Sequence, residues 1–340
     1  MNIEIVQGDC MDVMAGMAEK SVQCCITSPP YWGLRDYGVE GQFGLEKTLE
    51  EYISKMVDVF REVRRVLRDD GTLWLNLGDT YWGGKGQSGQ KDGNYQANRQ
   101  DKSLNKPYHQ IGGAKQTRPQ DGKHDVIKPK DLVGIPWMVA FALRADGWYL
   151  RQDIIWHKPS PMPESVTDRC TKAHEYIFLL SKNKKYYFDN EAIKEPLIYP
   201  NETRRPLGSK GAWQMDGREQ QENGGGTPYD GYPSHRNKRS VWTVTTKPFR
   251  GAHFATFPEK LIEPCVKAGC PEGDIIIDPF AGAGTVGVVC KKLGRNHIGI
   301  ELNPDYCEIA RKRIAAELTK AIGPTAEGVI RKLRRVPPKK

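Results

Sequence analysis

The stretch that decides the fold runs from Asp274 to Leu302, DIIIDPFAGAGTVGVVCKKLGRNHIGIEL. Ile275 to Ile277 form a short apolar run that stops at Asp278-Pro279. A glycine-rich turn follows, then Val286, Val288 and Val289 start an apolar helical pattern, and a second apolar run ends at Glu301. Strand, tight turn, helix and strand in this order form the repeating unit of an α/β sheet. Within it, Gly282-Ala283-Gly284-Thr285-Val286-Gly287 fits G-x-G-x-x-G. Such a turn exposes backbone N–H groups at a helix start, where an anionic group is favoured.

Taken alone, this turn with Glu301 at the next strand end is the dinucleotide fingerprint. Asp278, in the loop Asp278-Pro279-Phe280, argues the other way, because a carboxylate at the strand tip repels a pyrophosphate and attracts a cation. S-adenosyl-L-methionine carries that cation in its ammonium and sulfonium groups. Its carboxylate suits the free N–H groups of the Gly282–Thr285 turn, and its ribose hydroxyls suit an acceptor such as Glu301. An adenosylmethionine site is favoured on charge, with a dinucleotide site as the alternative.

About 250 residues upstream, VQCCITSPPYWG contains another apolar run, halted by Ser28-Pro29-Pro30-Tyr31-Trp32. Proline fixes φ and lacks an N–H, so this tip is stiff and presents carbonyl oxygens. Sites in open α/β sheets form beyond the carboxyl ends of strands, so the two tips are expected to face one cleft. Acceptors from Ser28 and the Pro29 carbonyl would hold both N–H bonds of an exocyclic amine and aim its lone pair at a sulfonium methyl. Tyr31 is placed to stack on a base, and Trp32 to help line the pocket. An amine inside a duplex is out of reach, so the base would have to be flipped out.

Around these motifs the chain alternates between patterned and unpatterned blocks. NIEIV closes at Gly8-Asp9 as a first strand. Leu49, Tyr52, Ile53, Met56, Phe60, Val63 and Leu67 make a helical stripe. Thr48 and Glu51 are spaced as its capping box, with Gly71 as its stop. TLWLNLGD, WYLRQDIIWHK and HEYIFLLSK read as strands, and PKDLVGIPWMVAFALRADG as a helix. Thr256 is expected to cap a helix that has Pro258 in its first turn and Glu259 at the reciprocal position.

The sequence thus divides into 1–82, a catalytic half; 83–125, a polar loop-rich insertion; 126–193, a continuation of the sheet; 194–250, a Gly-rich basic segment; 251–319, a cofactor half; and 320–340, a basic tail. Lys and Arg outnumber Asp and Glu by 51 to 42 in 340 residues, which suits a polyanionic partner. The N-terminus lacks a signal pattern and no run reaches the ~20 apolar residues of a membrane span, so a cytoplasmic protein is expected. The eight cysteines are scattered, without zinc-ligand spacing, and read as reduced core residues. Pro264-Cys265 would be needed for attack on a cytosine ring carbon, but it lies inside a helical pattern where a buried inert thiol is expected.

ITSPPYW and DPFAGAGT resemble the catalytic and cofactor motifs of the bacterial and phage DNA amino-methyltransferases, which modify cytosine N4 or adenine N6. Their order, with the catalytic motif first, is similar to that of the permuted beta group. The resemblance implies a Rossmann-like fold, a mixed seven-stranded sheet with helices on both faces. It implies S-adenosyl-L-methionine as cofactor and double-stranded DNA as substrate, in a cytoplasmic, nucleoid-associated enzyme. By the same resemblance Ser28, Pro29, Pro30 and Tyr31 are catalytic. Asp9, Thr256, Phe257, Asp278, Pro279, Phe280, Gly282, Gly284, Thr285 and Glu301 hold the cofactor, Asp9 through its adenine and HFATFPEKL over its methionine end. Segments 83–125 and 194–250 fall where that group contacts DNA. Ser28 after Thr27 follows the cytosine-N4 pattern, with adenine N6 as the alternative. The resemblance leaves open a homodimer and a cognate restriction endonuclease as partners.

Overall fold

The computed structural model describes residues 2–34, 37–82, 124–196, 235–246 and 257–321, with the backbone of 100–101 and 106–107. Eight strands form the main sheet: β1 Ile3–Gln7, β2 Val22–Thr27, β3 Leu67–Leu77, β4 Tyr149–His157, β5 His174–Ser181, β6 Val241–Thr243, β7 Ile275–Asp278 and β8 Asn296–Glu301. Their spatial order is β1-β8-β7-β2-β3-β5-β4-β6. Neighbours from β1 to β3 are parallel, and β5 runs antiparallel between β3 and β4. The sheet is mixed, as expected, with one strand more than the seven anticipated. The extra strand is β6, three residues from the basic segment 194–250 that add in parallel to the outer edge of β4.

Helices cover both faces: α1 Cys10–Ala15, α2 Leu49–Val66, α3 Ile135–Ala145, α4 Glu259–Gly269, α5 Thr285–Lys292 and α6 Pro304–Ala321. Leu73, Leu75 and Leu77 of β3 point into a core with Tyr52, Met56, Phe60 and Val63 of α2 and Val139 and Leu143 of α3. Their neighbour Trp74 points to the other face, against Ile262, Cys265 and Val266 of α4. A central strand flanked by strands and covered twice must be apolar throughout, which is why Gly71 to Leu77 are all buried. The smallest apolar cluster joins Ile5, Val288, Ala310 and Ile314 under α5 and α6.

Two boundaries differ from the sequence reading. Helix α2 begins as expected, with the Thr48 hydroxyl accepting from the Glu51 N–H at 3.1 Å, but it ends at Val66. Gly71 lies inside β3, where a side-chain carbon would come within 3.0 Å of the Gln23 and Arg68 carbonyl oxygens, so close approach and not a helix stop requires glycine there. Helix α4 takes Pro258 as its N-cap residue, without a side-chain cap. Thr256, expected to cap it, lies outside the described residues, as do most of 83–125 and 194–250 and the tail beyond Ala321.

Candidate active site

The parallel order sets the carboxyl ends of β1, β2, β7 and β8 side by side, and one cleft opens beyond them. Asp9, Ser28, Pro29, Pro30, Tyr31, Phe257, Asp278, Pro279, Phe280, Gly282, Thr285 and Glu301 all line it. The two strand tips singled out in the sequence therefore meet, although Thr27 and Asp278 stand 251 positions apart in the chain. The Thr27 hydroxyl donates to Asp278 Oδ1 at 2.6 Å and ties the tip of β2 to the tip of β7. Phe43, from the loop after β2, packs edge-on against Phe280 and reinforces the joint.

On the cofactor side, Asp278 is 2% exposed. Burial pushes its carboxyl up to about 7; hydrogen bonds from Thr27 and the Phe280 N–H oppose this, and nearby Glu301 adds to it. A cation in the cleft would restore the charged form. Glu301 accepts from the Gly282 and Asn303 N–H groups, both at 2.8 Å, and burial raises its carboxyl as well. The Asp9 carboxylate accepts from the Met11 N–H at 2.7 Å and caps α1. Gly282 and Gly284 have φ of 50° and 73°. Gly284 does not face the cleft: it is the left-handed N-cap of α5, where a side-chain carbon would lie 2.7 Å from the Ala310 Cβ. A buried carboxylate at the floor, a second at the rim and a glycine turn between them fit the ammonium, ribose and carboxylate of S-adenosyl-L-methionine.

On the catalytic side, the Pro30 carbonyl is already engaged, accepting from the Tyr52 hydroxyl at 2.9 Å. That bond anchors the tip to α2. Tyr31 is half-buried against Gly78, where any side chain would strike its ring: a Cβ would sit 2.6 Å from Cε2. Its hydroxyl donates to Glu175 Oε2 at 2.8 Å and lies near Asn76 Oδ1. Trp32, expected to line the pocket, is instead a core residue, stacked on Trp82 with its indole N–H on the Glu46 carbonyl. Its ring turns inward because the chain reverses just after Tyr31, whose carbonyl accepts from the Leu34 N–H at 3.2 Å.

Sequence reasoning missed Glu175, Asn76 and Lys158, which form the second layer behind Tyr31. Lys158 pairs with Glu175 and sits over the Trp156 ring. The only available signal was polar residues at the ends of apolar strands, in LNLGD, IIWHK and HEYIF. Cys265 is buried within α4, and burial drives its thiol well above the ordinary range, so it offers no thiolate to a substrate.

A family model described as DNA methylase matches residues 22–312. The type II methyltransferase M.Cfr9I of Citrobacter freundii is 44% identical over 318 residues, covering 94% of this chain and 89% of the relative. The type II methyltransferase M.SmaI of Serratia marcescens is 46% identical over 311 residues, 92% of this chain and 90% of the relative. Among solved structures, PvuII DNA methyltransferase (cytosine-N4-specific) superposes with a TM-score of 0.60 at 17% identity, covering 92% of this chain and 86% of that one. A Thermus thermophilus protein complexed with S-adenosyl-L-methionine gives 0.53 at 22% identity, covering 93% and 94%. Both structural likenesses bear on the fold.

Proposed function

The chain belongs to the DNA methylase family whose model spans residues 22–312, and from that premise we propose how this S-adenosylmethionine-dependent DNA methyltransferase handles its base. The target is the exocyclic amine of a base flipped from double-stranded DNA, cytosine N4 in preference to adenine N6. The observation that carries this reading is the junction of the two tips through Thr27 and Asp278, with Ser28 and the Pro29 carbonyl on one side and Asp278 on the other. When bound, S-adenosyl-L-methionine supplies an electrophilic methyl group. Asp278 and Asp9 would hold its cationic and adenine parts, Glu301 its ribose, and Thr285 its carboxylate, while the Gly282 N–H, expected to be free for that carboxylate, is instead donated to Glu301 and orients it.

Ser28 and Pro29 accept the two amine N–H bonds, which localises the nitrogen lone pair and directs it across the cleft. The Tyr31 ring supports the base, and its tether to Glu175 keeps it in place before the base arrives. Preference for cytosine rests on Ser28, a neutral acceptor that follows Thr27. The polar segments 83–125 and 194–250 read the DNA sequence, and the 320–340 tail adds phosphate contacts. Domain limits follow those assignments. A monomer or a homodimer and a partner restriction endonuclease are both compatible with this scheme, as is a cytoplasmic, nucleoid-associated location. Among the described residues no helix is long and apolar enough to cross a membrane.

Nucleoside mass spectrometry of DNA treated with the protein and labelled cofactor tests the reading. N4-methylcytosine is expected. N6-methyladenine would overturn the base preference, and 5-methylcytosine or unlabelled DNA would overturn the site.

A further inference from the structure

Shortly after the catalytic tip the chain runs Tyr37-Gly38-Val39-Glu40-Gly41-Gln42-Phe43-Gly44. Tyr37, Val39, Gln42 and Phe43 line the cleft, whereas Gly38, Glu40 and Gly41 are exposed. The segment is therefore a strap with one side turned to the cleft and the other to water. Gly38 and Gly41 take φ of 71° and 81°, and a side-chain carbon at either would meet nothing within 4 Å. Glycine stands at these two positions for backbone shape and not for close packing, because L side chains disfavour left-handed φ. Inside the strap the Tyr37 N–H donates to Gln42 Oε1 at 2.7 Å and the Gln42 N–H to the Val39 carbonyl at 3.3 Å, which holds the curl.

The two ends of the strap are tied to opposite halves of the site. At the foot, the Gly33 N–H donates to the Gly44 carbonyl at 2.7 Å. Gly44 packs on the catalytic tip, where a side-chain carbon would lie 3.0 Å from the Tyr31 carbonyl oxygen and 3.4 Å from the Pro30 Cβ. Phe43 is fixed between Phe280 and the Lys55 ammonium of α2, which lies 5.8 Å from its ring centre. At the far end the Tyr37 ring meets Tyr306 edge-on, with ring centres 6.1 Å apart and planes at 89°. Tyr306 also lines the cleft, from the first turn of α6 just beyond Glu301, and is 5% exposed. The Tyr37–Tyr306 pair thus bridges the cleft from the catalytic half to the cofactor half.

We propose that Tyr37 is a cofactor-holding residue: the strap from Tyr37 to Gly44 covers the adenosine end of S-adenosyl-L-methionine, and the contact of Tyr37 with Tyr306 is the latch that must open before the cofactor leaves. The proposal rests on the placement of the ribose at Glu301. A roof of Tyr37, Val39 and Phe43 suits a flat, weakly polar adenine. It also keeps water from the cleft, which strengthens the attraction between Asp278 and the cofactor cation. Because the foot of the strap rests on Pro30 and Tyr31, the roof over the cofactor and the catalytic tip share one support.

The test follows labelled S-adenosyl-L-methionine by rapid filtration, measuring association directly and release after a chase with excess unlabelled cofactor. Tyr37→Ala should release the cofactor about 3- to 10-fold faster, the strength of one edge-on ring pair. Association should change by less than about twofold, so that affinity falls with the release rate. Tyr37→Phe keeps the ring and should release within about twofold of wild type. Gly41→Ala strains the curl at φ 81° while its methyl group stands in open space, so release should quicken there too, although neither ring is touched. Thermal melts of the cofactor-free variants within about 2 °C of wild type certify the fold. Release from Tyr37→Ala at the wild-type rate would overturn the clamp. Equal rises in association and release would overturn it as well, since they leave affinity unchanged and describe a gate that holds nothing. A wild type that retains no labelled cofactor, or an Asp278→Asn variant that binds and releases it unchanged, would overturn the cleft assignment instead.

Discussion

The tips of β2 and β7 lie next to each other in the sheet and are built from opposite chemistry. Ser28-Pro29-Pro30 removes backbone donors and leaves acceptors; Gly282-Ala283-Gly284 at the start of α5 needs positive φ at both glycines, and its Gly282 and Gly284 N–H groups are taken up by Glu301 and by the Ala281 carbonyl. The first is stiffened by Pro rings and by the Tyr52 bond to the Pro30 carbonyl, the second by the packing of Gly284 onto Ala310. In the proposed reading an amine is met on one side by lone pairs, and the cofactor on the other by the Asp278 carboxylate. The Thr27–Asp278 bond then sets the distance between the two halves.

The largest way to break this contrast is Ser28→Ala. Methyl transfer should fall by about 100- to 1,000-fold with cofactor affinity unchanged; a weakened affinity by calorimetry would mean the tips do not divide the work. Next is Gly284→Val, which adds a side chain at φ 73° and 2.7 Å from the Ala310 Cβ. Left-handed strain plus the clash should remove roughly 2–4 kcal/mol of stability, read by urea denaturation. Gly282→Ala, with φ of 50° but an open surrounding, should lose less than Gly284→Val.

A smaller and more informative effect concerns Asp278. Its folded value, near 7, lies above the 3.8 of an exposed carboxyl. The folded cofactor-free protein therefore binds the extra proton, and this contribution to stability is full below about 4 and lost as pH rises through about 7. Cofactor binding has the opposite slope, since its cation needs the ionised form. Affinity should weaken as pH falls below about 7. Asp278→Asn should flatten both trends, weaken the cofactor by roughly tenfold, and raise the cofactor-free melting temperature at about pH 8 by on the order of 5 °C. Titration calorimetry and thermal melts across pH check the pair of signs.

The smallest expected change is Thr27→Val. It deletes a hydrogen bond that favours the charged carboxylate, so the pH midpoint of cofactor affinity should move upward, by under about one unit. An unmoved midpoint would mean that Thr27 joins the strands without tuning Asp278.

Much of this architecture is legible without coordinates because its signals are local. The run of Ile275 to Ile277 before the glycine turn, the stripe from Leu49 to Val63 and the halt at Pro29-Pro30 each follow from side-chain periodicity or backbone restriction within a few residues. Local signals mislead where a contact across the sheet or a chain reversal outweighs them. Gly71 looks like a helix stop until its neighbours across the sheet are known, and Trp32 looks like a pocket wall until the chain reversal after Tyr31 turns it into the core. The short β6 has no such signal, since three residues at a sheet edge depend on the strand they join.

The sequence by itself determined the two strand tips, their opposite hydrogen-bonding character and their order along the chain, because proline and glycine constrain the backbone wherever they stand. Only the tertiary structure decided what stands behind those tips. The antiparallel pairing of β4 with β5 brings Lys158 to Glu175, and the pairing of β3 with β5 brings Asn76 beside them. Tyr31 and Glu175, which share a hydrogen bond, are 144 positions apart in the chain. A carboxyl group placed behind a phenol has no local signature, since its partners are chosen by register across the sheet and not by neighbours in the chain.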